Sequence, residues 1–399
     1  MSWLTYLSMP LLAAFIGYTT KLVAIEMMFR PIEFVGKPPL LGWQGIIPRH
    51  AGRMGSISMS LLLGRLIDVN QILGRLDPKA LGEHLREPMT KAVTEIGTEL
   101  MAKYQPQLWE MLPEEAQRRI LAQIAARAPK AVEELIADLS RNPDAYLDVW
   151  DMALRNLIAD RGALNRLFRD IGAPELKFIA RSGLYFGLVI GLLQAGVWAL
   201  THNPLVMPVF GAIVGLTTDW IALKMIFFPR EERRYLGIRW QGMFQRRRHE
   251  VMGDYAKMVA DEVLTVPAMM DALLTGPKSD RLIGLVQRHV SEVVDRQVGV
   301  ARPLVMLSIG TRRYQEFKDE VVARAIATAP STMAPVMAYA KDALAIEQTI
   351  VGAMRAMTPL EFESVLRPAF KQDEWKLILV GGILGAIVGE LQVLLLIGH

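Results

Sequence analysis

The sequence predicts an all-α integral membrane protein made of two tandem repeats that face the same way. Three observations carry that expectation. Four long apolar stretches stand in a 399-residue chain that is 52% hydrophobic and only 22% charged, a motif near the first stretch recurs at the third, and the chain between the stretches has the helical period. A mean hydropathy of +0.24 is too apolar for an average soluble protein and too polar for a chain lying wholly in lipid.

The apolar stretches cover residues 3–29, 178–200, 205–228 and 377–398. A bilayer core takes about 20 apolar residues in helical form, with a range of about 17–25. The second and fourth stretches meet this with one internal charge each, Arg181 and Glu390, whereas the closing halves of the first and third carry Lys21 with Glu26 and Asp219 with Lys224. The opening Met1-Ser2-Trp3-Leu4 lacks the basic residues of a secretory signal, so the first stretch is expected to belong to the mature protein.

The repetition is legible residue by residue. Gly17-Tyr18-Thr19-Thr20-Lys21-Leu22-Val23-Ala24 returns as Gly215-Leu216-Thr217-Thr218-Asp219-Trp220-Ile221-Ala222, and Met27, Phe29 and Pro31 return as Met225, Phe227 and Pro229. After one deletion Trp43-Gln44-Gly45 matches Trp240-Gln241-Gly242, and Gly187, Gly191 and Gln194 match Gly385, Gly389 and Gln392. A spacing held this long marks a tandem duplication. It divides the chain into repeats 1–202 and 203–399, each reading membrane segment, Pro/Gly-rich elbow, amphipathic lobe (50–175 and 246–373) and membrane segment. Two crossings per repeat put both lobes on one side; an opening segment that dips in and runs out along the interface changes this count.

Inside the lobes, Val132-Glu133-Glu134-Leu135-Ile136-Ala137-Asp138-Leu139 places apolar residues three and four apart with acids between them. Prolines, among them Pro88, Pro129 and Pro330, predict helix breaks, and Asp77-Pro78, Asn142-Pro143 and Thr358-Pro359 read as a capping residue followed by proline in the first turn. No hairpin signal or alternating strand is visible.

Gly17-Tyr18-x-Thr20-x-x-x-Ala24-Ile25-x-Met27-Met28-Phe29-Arg30-Pro31, followed by Gly45-Ile46-Ile47-Pro48-Arg49, resembles the signature of a bacterial membrane family, the domain-of-unknown-function family 445 (DUF445) typified by YheB-like proteins. The closing Gly381-Gly382-x-x-Gly385-x-x-x-Gly389-x-x-Gln392 is similar to the C-terminal segment of that family. Lys21 and Asp219 depart from the Asn that usually follows the Thr. The resemblance implies an uncharacterised inner-membrane or plasma-membrane protein and brings no catalytic residues with it.

Small residues recur four apart in every apolar segment: Ala13/Gly17, Gly183/Gly187/Gly191, Gly211/Gly215 and Gly381/Gly385/Gly389. Lipid gives helices little hydrophobic reason to associate, so close approach at small residues supplies the packing. A tight four-helix contact is expected there. The internal charges are the sharper feature. Lys21 aligns with Asp219 and Glu26 with Lys224, opposite in sign both times. A charge near the bilayer centre costs at least ~2.5–3.5 kcal/mol on insertion scales unless a partner relieves it. Equivalent positions near a pseudo-twofold axis share one depth, so a Lys21–Asp219 bridge between the repeats is expected. Glu26 lies about 140° further around the helix, so both pairs cannot occupy one seam.

Basic residues flank the membrane on the lobe side, including Arg49, Arg53 and Arg246-Arg247-Arg248, while Thr201–Pro204 and Gly398-His399 carry no Lys or Arg. By the positive-inside rule the lobes are cytoplasmic, and these arginines are expected to meet anionic lipid headgroups. The chain has no cysteine, no His-Glu-x-x-His, no phosphate-binding glycine loop and no nucleophile elbow. A net charge of +4 without aromatic interleaving points away from nucleic acid. No cofactor, metal site or enzyme activity is expected. The role these features predict is a membrane scaffold or lipid-interacting protein in the bacterial inner membrane, with lipids as partners and no oligomeric state implied. The alternative is a transporter or channel using Lys21, Asp219, Lys224 and Glu390, with Thr19-Thr20 and Thr217-Thr218 lining its path. Threonines in such helices more often bond back to their own carbonyls.

Overall fold

The computed structural model describes residues 3–37, 41–235, 238–298, 310–366 and 374–397. Gly398 and His399, Met1 and Ser2, and parts of the expected second lobe lie outside the described residues. Among the described residues the protein is all-α apart from two short antiparallel hairpins, β1 (Val35–Lys37) with β2 (Leu41–Trp43) and β3 (Arg233–Tyr235) with β4 (Ile238–Trp240). The hairpins correct the expectation of no strands. Three residues are too few for a period of two to show in a sequence, and the pairing stands on the elbow around it: Gly45 N donates to Pro31 O and Gly242 N to Pro229 O, both at 2.9 Å.

The chain forms two compact units, residues 1–62, 154–259 and 350–399 in the first and 63–153 and 260–349 in the second. This differs from the expected lobes 50–175 and 246–373. One stretch from each half contributes to the second unit, and the membrane-proximal ends of both lobes stay with the membrane helices. The reason is local: in helix Arg161–Ile171 the buried Asn165 donates from Nδ2 to the carbonyl of Phe29 at 3.0 Å, holding that helix to the end of the first membrane segment.

The first unit contains four apolar helices, α1 (Trp3–Phe29), α2 (Ala173–Thr201), α3 (Val206–Phe227) and α4 (Glu374–Ile397). By length and apolarity the described candidates for membrane crossing are Met9–Phe29, Ala173–Thr201, Val206–Phe227 and Thr311–Ala356. The last is not a continuous helix: Pro330 lies within it, a 3-10 turn breaks it at Ala334–Val336, and Ala345 adopts a left-handed conformation at φ 47°. Its first turns also carry ion pairs to Lys103 and Glu99. α4 carries a shorter apolar stretch, Ile378–Leu394, about 25 Å long at 1.5 Å per residue, and packs along α3. Pro10 sits inside α1, which membrane helices tolerate when their neighbours compensate the freed backbone groups. α2 ends at His202, left-handed at φ 47°, with its N–H donating to Trp198 O at 2.9 Å.

In the second unit, helices Pro78–Tyr104 and Glu114–Arg141 lie side by side with opposite directions: Gly82 fits against Glu133, and Gly97 against Leu121. Leu81, Leu85 and Val336 form a buried cluster supported by Val132 and Ile136, the apolar positions of the helical repeat. Pro88, Pro129 and Pro330 lie within helices and do not end them. A proline forfeits one backbone bond, and the bonds on either side of it are enough to continue the helix. Asp77 caps its helix, accepting from Lys79 N at 2.9 Å, and Thr358 with Glu361 makes a capping box. Asn142 makes no side-chain cap bond.

Candidate functional site

The site lies where the four membrane helices meet. A small-residue contact joins α1 to α2: a Cβ at Gly187 would fall 2.7 Å from the Ala13 carbonyl oxygen, and one at Gly191 2.7 Å from Pro10 Cα. Gly17 and Gly183 touch backbone to backbone. α3 and α4 repeat the arrangement at Gly211 with Gly385, Gly215 with Gly381, and Met207-Pro208 with Gly389. In both pairs position numbers rise on one helix as they fall on the other, so each pair is antiparallel. α2 also contacts α3, and α1 contacts α4. α2 and α3 run oppositely too, with Gln194 beside Met207 and Leu176 near Leu223, so α1 and α3 point the same way.

On this frame Lys21 Nζ lies 2.6 Å from Asp219 Oδ1, with side-chain exposures of 5% and 11%. Each charged side chain uses the space of a glycine on its partner helix. A Cβ on Gly183 would come 2.7 Å from Lys21 Cδ, and one on Gly381 would strike the Asp219 carboxylate. The glycines thus admit the charges as well as the backbones. At 1.5 Å per residue Lys21 stands about 12 Å from the Phe29 end of α1, within the candidate membrane span Met9–Phe29.

Two small cavities flank the pair. Toward the Gln194 end, a space of about 30 Å³ is lined by Thr20, Thr218, Gln194 and Gln392. Gln194 Nε2 lies 3.4 Å from Gln392 Oε1, and Gln392 Nε2 is buried with no hydrogen-bond partner among the described residues. Beyond it Met9, Trp198 and Met207 close the bundle with an apolar plug. On the other side, a cavity of about 70 Å³ is walled almost wholly by apolar groups, including Ala24, Met28, Ile171, Leu176, Leu223 and Ile226. The glutamines are site residues that sequence reasoning passed over. They were visible as two glutamines 198 residues apart, each inside an apolar segment, where a polar side chain is unusual.

Other expected site residues are placed elsewhere. Glu26 is exposed and pairs with Arg169 at 2.8 Å. Lys224 is exposed, its ammonium 5.0 Å from the Phe228 ring centroid and 5.6 Å from that of Trp220. Glu390 lies on the exposed face of α4, away from Lys21 and Asp219. Thr19, Thr20, Thr217 and Thr218 each donate to a carbonyl three or four residues back.

The basic cluster divides in two. Arg49, Arg53 and Arg246 are exposed. Arg247 and Arg248 correct the expectation of headgroup contact, because their guanidinium groups are engaged inside the unit. Arg247 reaches Glu250 at 2.9 Å and Glu175 at 2.8 Å, and Arg248 donates to the carbonyls of Met354 and Met357 over the Phe362 ring. The bond from Glu250 raises the Arg247 guanidinium above its ordinary value, Arg247 in turn holds the Glu250 carboxyl low, and burial lowers Arg248. Nearby, Arg230 Nε donates to the buried Glu363 at 2.5 Å. No group of three or more His, Cys, Asp or Glu side chains suited to a metal occurs among the described residues.

The chain is similar along almost its whole length to two cyanobacterial proteins. It is 21% identical to a "UPF0754 membrane protein" of Microcystis aeruginosa and 22% identical to one of Nostoc punctiforme, each match covering 99% of this chain and 98% of the relative. No family model matches, and no solved structure matches. The relatives support a membrane protein, and their printed names assign no activity.

Proposed function

We propose that this is a non-catalytic, multi-pass protein of the bacterial plasma membrane that serves as a scaffold and contacts membrane lipid, with the chain of lobes 50–175 and 246–373 on the cytoplasmic side. The observation that carries the reading is the bundle seam. Lys21 and Asp219 neutralise each other where four helices touch through glycine backbones, the flanking cavities hold about 30 and 70 Å³, and an apolar plug lies on one side. That is the construction of an anchor. The exposed Arg49, Arg53 and Arg246 are the groups offered to anionic headgroups, each worth about 1 kcal/mol near such a surface. The wider resemblance to family 445 and the origin of the two halves by duplication belong to the same proposal. The equivalences supporting duplication are the Lys21–Asp219 and Gln194–Gln392 pairs, each 198 residues apart.

Native mass spectrometry of the protein released in mild detergent tests the lipid role. Bound anionic phospholipid is expected, with less of it in an Arg49→Ala/Arg53→Ala/Arg246→Ala variant; lipid-free protein in both samples would end the reading. A transporter reading has one observation in its favour, the position of a charged pair between two cavities. It narrows to Lys21 and Asp219, since Lys224 and Glu390 face away. Ion flux in proteoliposomes that disappears in Asp219→Asn would establish it against the scaffold.

A further inference from the structure

The two elbow hairpins occupy equivalent places but present opposite chemistry. Both are rooted against the last turn of a membrane helix. Trp43 Nε1 donates to Met27 O at 3.2 Å, and a Cβ at Gly45 would fall 2.8 Å from the carbonyl carbon of Phe29. In the second elbow a Cβ at Gly242 would fall 2.8 Å from the carbonyl carbon of Phe227. α1 and α3 run the same way, so the hairpins stand at one boundary of the membrane. Each shows an exposed tryptophan, Trp43 at 38% and Trp240 at 44%, the residue type that settles at the headgroup level.

Between root and turn the likeness ends. The first hairpin exposes Ile32 at 41%, Phe34 at 43% and Val35 at 63%. At the matching positions the second has Arg230, Glu232 and Arg233, of which Glu232 and Arg233 are exposed, with the exposed Arg234 following. Three large apolar groups so close together in one exposed segment, beside Trp43, need a cover. The surface continuous with them is the bilayer that encloses α1, and Arg30 and Lys37 flank the segment with exposed positive charge suited to phosphate.

We propose that the first hairpin is a lipid-inserting wedge whose Ile32, Phe34 and Val35 enter the acyl region of the leaflet, while the second hairpin rests among the headgroups and meets their phosphates through Arg233 and Arg234. The wedge rests on the membrane placement of α1 and α3 and is independent of the scaffold reading. It makes the two halves unequal in their grip on lipid: one is held by apolar burial and the other by charge, so only the second is expected to loosen with salt.

The absence of cysteine makes the test direct. Full-length Val35→Cys and Arg233→Cys, each labelled with an environment-sensitive fluorophore, are reconstituted in vesicles of phosphatidylcholine and phosphatidylglycerol. The label at 35 is expected to emit at shorter wavelength, to be quenched by spin labels on the acyl chains and to be shielded from aqueous iodide. The label at 233 is expected to be quenched by iodide and spared by the acyl spin labels. Iodide access at 35 equal to that at 233 overturns the proposal, and so does equal shielding of both. An unlabelled Trp43→Phe variant gives a second readout: tryptophan quenching by shallow spin-labelled lipid should fall in the variant, and unchanged quenching counts against the wedge.

Discussion

Two ion pairs of the same length separate the membrane unit from the second unit. Lys21–Asp219 and Lys103–Glu320 both measure 2.6 Å, but the side-chain exposures are 5% and 11% in the first and 57% and 21% in the second. Distance says nothing about what either contributes. Water solvates both Lys103 and Glu320 if they part, so an exposed pair of this kind stabilises little. Lys21 and Asp219 have no such alternative. Removing one leaves the other charge in a medium that cannot solvate it, and that asymmetry makes the buried pair strict about its partner.

The largest expected effect breaks the buried pair. Asp219→Leu leaves Lys21 without a counter-charge and should lower the stability of the membrane unit by about 3–5 kcal/mol, read as a fall in the thermal midpoint in detergent. The charge exchange Lys21→Asp with Asp219→Lys should recover most of the loss, because the opposite charges still meet. A double variant as unstable as either single one would mean that the positions matter for shape and not for charge.

Packing gives the next effect and sharpens the contrast within one unit. Gly385 contacts Gly211 through the backbone, so Gly385→Leu must push α3 and α4 apart, at about 1–3 kcal/mol by the usual measure of overpacking. Gly196 in α2 has nothing within 4 Å of its would-be Cβ. Gly196→Leu is therefore expected to melt like the parent protein. Equal destabilisation at both sites would show that helix glycines are needed here for something other than close approach.

Much of this was legible in the sequence, for reasons that differ by element. The membrane helices and the Lys21–Asp219 pairing follow from lipid itself, which forces long apolar runs and makes an isolated charge expensive, so a matched pair of opposite charges 198 residues apart carries spatial information. The glycine contacts follow for the same reason. Legibility failed where tertiary context decides. Arg247 and Arg248 read as part of a basic run beside Arg246, but Glu175 and the carbonyls of Met354 and Met357 draw them inward, and those partners lie 72 to 109 residues away. The hairpins are too short for a period to register. The division into units was hidden because one stretch from each half of the chain enters the second one, and neither stretch announces that in its own pattern.

The smallest expected effect belongs to the exposed pair and appears with pH. Lys103 Nζ and Tyr104 Oη both donate to Glu320, at 2.6 and 2.7 Å. Together they hold its carboxyl below the ordinary carboxylate range, Lys103 contributing most. A carboxyl lowered in the folded state stabilises the fold fully at neutral pH, and the contribution fades as acid protonates it. Tyr104 runs the other way: the bond to Glu320 pushes its phenol up to about 12, so its contribution is whole below about pH 10 and is lost as the pH rises to about 12. Glu320→Gln should therefore differ slightly from the parent protein in thermal midpoint at pH 7, and the difference should shrink as the pH falls below the ordinary glutamate value of about 4.3 and vanish once the lowered carboxyl of the folded parent is protonated as well. A gap that stayed constant into acid would place the effect in the shape of the side chain, and the contrast between a charge held by its partner and one shared with water would lose its exposed half.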